Sequence, residues 1–187
     1  MVFTLISRVV NGVKEGVKAG LKGVGDVGES IVNLIKNTAV TTLKGTGQFI
    51  GKGIETAASI VKGAVSGVAD IGASLVGTIK GIVKGTISGV VESGGKEEEV
   101  VRGAVAQALY SAKELGEDIG QVAVEAVKGS IEAVTSIGGD TVKATRDSVI
   151  AAVETAKNLG GDAKEAVKTS LGSGIEGAKD IIDTIKE

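Results

Sequence analysis

The sequence predicts an all-α protein: a long helical hairpin of 11-residue amphipathic repeats, assembling into a helical bundle, tube or filament. Three observations predict it. The 187 residues contain no Pro, so nothing removes a backbone donor and stops a helix from running on. An aliphatic residue recurs every eleven positions over eight consecutive units. A charged Gly-Gly seam then divides the chain into two halves of similar length.

The repeat is clearest where Ile60-Val-Lys-Gly-Ala-Val-Ser-Gly-Val-Ala-Asp70 is aligned with Ile82-Val-Lys-Gly-Thr-Ile-Ser-Gly-Val-Val-Glu92; both share Ile-Val-Lys-Gly and Ser-Gly-Val. In the register that starts at Leu5 and ends at Glu92, the sixth position is always aliphatic: Val10, Leu21, Val32, Leu43, Ile54, Val65, Val76 and Ile87. Eleven residues in three turns is about 3.67 per turn, close to a relaxed helix, so the stripe runs nearly straight with a slight right-handed drift. These eight residues are the expected helix–helix or lipid contacts. The eighth position carries Gly12, Gly23, Gly45, Gly67 and Gly89, a line of small residues on one flank of the apolar band where another helix can approach closely.

The second half repeats the device with a thinner, Ala-rich face. Residues 105–118 match 149–162 at a spacing of four units, with Ala112/Ala156, Lys113/Lys157, Leu115/Leu159, Gly116/Gly160 and Asp118/Asp162 identical. One apolar column runs through Val101, Ala112, Ala123, Val134, Ala156, Val167 and Ala178. Between the halves lies Ser93-Gly-Gly-Lys-Glu-Glu-Glu99. Its glycines suit a helix stop, and its acids suit the start of the next helix. The expected organisation is therefore a Val/Ile/Gly-rich arm over 1–92, a turn over 93–99 and an Ala-rich acidic arm over 100–187, each arm about 130 Å long at 1.5 Å per residue. Further breaks are expected at Gly23-Val-Gly-Asp-Val-Gly28, Gly138-Gly139 and Gly160-Gly161.

Composition narrows the function classes. With two Phe, one Tyr and no Trp, the core has to be built from Val, Ile, Leu and Ala. Thirty Gly weigh against an isolated helix: at about 0.8–1.0 kcal/mol each relative to Ala, those inside the arms cost on the order of 20 kcal/mol. Helix formation is therefore expected to depend on burying the apolar band against something. Neither His nor Cys is present, which removes the usual nucleophile–base pairs and nitrogen or sulfur metal ligands. No enzymatic activity, cofactor or metal is expected, and Glu97-Glu98-Glu99 reads as a solvated helix start. Gly23-Val-Gly-Asp-Val-Gly28 matches a dinucleotide fingerprint, but it lies in a helical repeat without the strand that motif requires. A net charge of −2 and the lack of stacking aromatics give no case for nucleic acid. The halves differ, at +4 over 1–95 and −6 over 96–187, so they attract weakly when folded together.

The uncharged apolar stretch 71–79 in the middle of the chain is bounded by Asp70 and Lys80, too short to span a bilayer. The N-terminus lacks a basic segment ahead of its apolar residues. A cytoplasmic location is expected, or one peripheral to a membrane or lipid surface.

Val13-Lys-Glu-Gly-Val17 is similar to the Lys-Glu-Gly-Val core of the synucleins, with Lys164-Glu-Ala-Val167 as a weaker echo. Through its 11-residue period the chain resembles the synucleins, the exchangeable apolipoproteins, the perilipins and the late-embryogenesis-abundant proteins of the 11-mer type. The resemblance implies binding to a lipid surface. Three readings follow: a scaffold whose helices meet copies of themselves or a helical protein partner, or line an apolar surface that holds lipid; a reversible lipid coat; and a stress protectant that is disordered in water and helical when dry.

Overall fold

In the computed structural model, which describes residues 2–22, 28–45 and 53–185, helix starts fall at Gly53, Leu75, Glu97, Ile119, Thr141 and Ala163. The spacing is 22 residues, two units of the sequence repeat. Among the described residues the helices are α1 (Val2–Leu21), α2 (Gly28–Gly45), α3 (Gly53–Asp70), α4 (Leu75–Glu92), α5 (Glu97–Leu115), α6 (Ile119–Ser136), α7 (Thr141–Leu159), α8 (Ala163–Gly174) and α9 (Ala178–Thr184). The all-helical expectation holds. The two continuous arms do not form: each is cut into helices of mostly 18 to 20 residues.

What cuts them is a glycine in the left-handed region at every second unit: Gly72, Gly94, Gly116, Gly138 and Gly160, with φ between +71° and +101°. At four of these turns the backbone closes as a Schellman motif. Ala73, Gly95, Glu117 and Gly139 donate to the carbonyls of Val68, Val90, Ala112 and Val134. A side chain then restarts the helix at three of them. Ser74 accepts from the Gly77 amide at 3.3 Å, Asp118 from Gln121 at 2.9 Å, and Asp140 from Val142 and Lys143 at 3.0 Å. Since an L-residue pays about 1–2 kcal/mol in the left-handed region, Gly138→Ala is expected to lower stability by about that amount. Equilibrium urea denaturation checks it.

Successive helices are antiparallel neighbours, and each helix also packs against the second one along the chain: α1 on α3 on α5 on α7 on α9, and α2 on α4 on α6 on α8. The result is two layers of helices stacked in rows of one hairpin each, the architecture of a helical solenoid. The core runs between the layers and is aliphatic throughout, from Val9 and Ile31 through Ile60, Ile82 and Leu109 to Val149 and Leu171. The column Val101, Ala112, Ala123, Val134, Ala156, Val167 and Ala178 is buried along its whole length. Small residues there draw the rows together.

The terminal rows differ from the inner ones. Asn11, Glu15, Asn33, Asn37 and Thr41 are exposed on α1 and α2, the first described row; Glu165, Thr169, Lys179, Asp180 and Asp183 are exposed on α8 and α9. Both outermost described rows thus carry a polar outer face. The last row is also folded short: Gly177, at φ +77°, turns the chain so that α9 returns against α7.

Candidate functional site

The predicted contact column splits in two. Leu21, Leu43, Val65 and Ile87 are buried, whereas Val10, Val32 and Val76 are half-buried and Ile54 is 47% exposed. The members alternate because each helix holds two of them three turns apart. The first lies toward the helix start, and in α3 and α4 it is the second residue of the helix; the second lies in the C-terminal half of each helix. Later in the chain the alternation is looser: Leu109, Val153 and Ile175 are buried and Glu98 and Val142 exposed, but Ile131 is half-buried and Gly120 buried.

The glycines sort in the same way. A β-carbon on Gly67 would lie 2.9 Å from the Lys14 carbonyl oxygen, and one on Gly89 2.9 Å from that of Lys36; both glycines sit where helices two apart touch backbone to backbone. Gly12 does not, since its β-carbon would meet only the Thr42 hydroxyl at 3.9 Å. It faces α2 across an ordinary side-chain gap. Gly45 ends α2, but its surroundings lie outside the described residues, as does Gly23 with most of the fingerprint-like segment 23–28. The closest approaches to backbone are at glycines the repeat alone does not single out: Gly63 on the Val10 carbonyl, Gly85 on Val32 at 2.6 Å, Gly103 on Ile54 and Gly129 on Lys80.

Outside the core, the rows are laced by ion pairs between helices two apart. Asp70 of α3 holds Lys14 and Lys18 of α1 at 3.0 and 3.4 Å. Glu92 of α4 holds Lys36 of α2 at 2.8 Å, Glu132 of α6 pairs with Lys80 and Lys84 of α4, and Lys143 of α7 reaches Glu98 of α5 at 2.8 Å. Of these pairs, only those of Glu132 with Lys80 and Lys84 join the basic half to the acidic one. Nor are Glu97, Glu98 and Glu99 merely solvated. Glu99 accepts from the Gly53 amide at 3.1 Å and so caps α3, Glu98 binds Lys143, and Glu97 lies beside Gly139 of the α6–α7 turn.

Hydrogen bonds from Lys14, Lys36 and Lys143 hold the carboxyls of Asp70, Glu92 and Glu98 below their ordinary values. Burial works against Glu132, but Lys80 and Lys84 outweigh it and lower it too. The attraction of Glu15 raises Lys18, and the hydrogen bond to Glu98 raises Lys143. Depressed carboxyls add stability above their unfolded values and lose it as they protonate in the folded state. The urea midpoint is therefore expected to be flat from neutrality down to about 4.5 and 3.8, the ordinary Glu and Asp values, and to fall below them. Added salt should flatten the fall, because these pairs are exposed.

Among the described residues, two outward recesses lie between rows. A shallow groove of about 550 Å³ lies between α4, α6 and α8, lined by Val76, Gly77, Lys80, Gln121, Val124, Glu125, Ser170, Ser173 and Gly174. A cleft of about 240 Å³ lies between the α3–α4 and α5–α6 turns, floored by Val65, Val68 and Leu75 and edged by Leu115 and Glu117. Among the described residues no helix is long and apolar enough to cross a membrane.

No protein-family model and no curated protein matches the chain. Among solved structures it is similar to the crystal structure of a de novo designed helical repeat protein, DHR7. That likeness has a TM-score of 0.56 at 20% identity and covers 92% of this chain and 96% of the other. At that identity it is a likeness of fold: stacked helical repeats.

Proposed function

We propose that the chain is a non-catalytic scaffold: a stack of helical repeats that satisfies its own apolar bands and presents its outward faces to a helical protein partner or to a second copy of itself. The observation that carries this reading is the burial of Val9, Ile35, Ile60, Ile87, Leu109 and Leu171 against neighbouring helices of the same chain. A lipid coat needs that band free to enter the interface, and a desiccation protectant needs a chain that is unfolded in water. Both alternatives, together with the synuclein-like resemblance, therefore predict a different state in plain buffer.

Far-UV circular dichroism without lipid separates them. A strongly helical spectrum with a cooperative melt supports the scaffold. A disordered spectrum that becomes helical only with anionic vesicles, or only on drying, overturns it. Sedimentation of the helical form then distinguishes its partners: a concentration-dependent mass identifies a second copy, and a monomer at all concentrations leaves a helical partner.

A further inference from the structure

The first helix carries a shorter period than the rest of the chain. From Val9 it reads Val-Val-Asn-Gly, Val-Lys-Glu-Gly, Val-Lys-Ala-Gly, Leu-Lys, and each column of this tetrad has its own task. Val9, Val13, Val17 and Leu21 are buried. Gly12, Gly16 and Gly20 face Thr42, Thr38 and Leu34 of α2. Lys14 and Lys18 bind Asp70, and Lys22 follows one turn later, exposed. The track on α3 has the same period, since Gly63 receives the Val10 carbonyl and Gly67 that of Lys14.

We propose that α1 occupies two registers on α3, one helical turn apart, and steps between them by about 6 Å along its axis (four residues at about 1.5 Å). In the stepped register Val13, Val17 and Leu21 fill the places of Val9, Val13 and Val17. Gly63 receives the Lys14 carbonyl, and Lys18 and Lys22 replace Lys14 and Lys18 at Asp70. The later rows already pack this way. Gly63 and Gly85 sit on carbonyls 53 residues upstream, but Gly103 and Gly129 sit on carbonyls 49 upstream. The ion pairs shift with them: Asp70 reaches back 56 and 52 residues to its lysines, and Glu132 reaches back 52 and 48. One turn is roughly the smallest translation that returns the same helix face to its track, so the interface switches between two states.

The test uses the full chain, which has no native cysteine, with paired substitutions oxidised in glutathione buffer. Lys14→Cys/Asp70→Cys reports the observed register and Lys22→Cys/Asp70→Cys the stepped one. Ala19→Cys/Asp70→Cys reports loosening of the helix end, because Ala19 is turned about 100° from Lys18 around α1. All four positions are exposed or half-exposed, so the core is untouched. The Lys22 pair is expected to close more slowly than the Lys14 pair but at least about tenfold faster than the Ala19 pair. A Lys22 pair no faster than the Ala19 pair overturns the step.

Discussion

Gly103→Ala is expected to destabilise the protein by about 2 kcal/mol, although alanine is the better helix former by about 0.8–1.0 kcal/mol. The new β-carbon would meet the Ile54 carbonyl oxygen and lie 2.7 Å from the Ile54 α-carbon. Backbone cannot rotate aside as a side chain can, so α3 and α5 have to separate along their contact. Overpacking of this kind costs typically about 1–3 kcal/mol, and a rigid obstacle belongs at the upper end. Gly77→Ala is the counterpart. There the β-carbon would meet only Ser74, at 3.7 Å, and the gain in propensity should appear nearly whole, about 1 kcal/mol of added stability. Urea denaturation of the two variants should therefore move in opposite directions. Two increases would mean that the rows are not in backbone contact.

Ile87→Ala is expected to cost roughly 3–5 kcal/mol and Ile54→Ala less than about 1 kcal/mol. By sequence the two are interchangeable, holding the same position of the same 11-residue unit. In the structure Ile87 is fully buried in the middle of α4, and Ile54 is 47% exposed at the start of α3. Only the first leaves a cavity when truncated. Equal losses at the two sites would restore the continuous stripe that the repeat suggests and count against the two-layer stack.

That pair of residues shows how far the sequence could be read. The helical class and the aliphatic core follow from an unbroken column and the absence of Pro. So do the breaks at Gly94-Gly95, Gly138-Gly139 and Gly160-Gly161, where doubled glycines mark a stop. Gly72 and Gly116 are single glycines in a chain that has thirty, and composition hides them. Their signal is positional: glycine at the second place of every other unit, with Ser74, Asp118, Asp140 or Asp162 two residues on. An 11-residue period is compatible with one long helix and with short helices of two units each, and only the cap chemistry distinguishes them. The close contacts at Gly63, Gly85, Gly103 and Gly129 were illegible for another reason. They depend on which helices become neighbours, and local periodicity holds no such information.

The 22-residue turn spacing gives the fold a parity. Gain or loss of one helix and its turn would send every later helix to the opposite layer and break every contact across the joint. Gain or loss of two, 44 residues, returns each helix to its own layer with the same kinds of neighbour. Such a chain can lengthen or shorten by whole hairpins through in-frame recombination, and its span becomes a quantity that duplication can tune while each surviving interface keeps its chemistry.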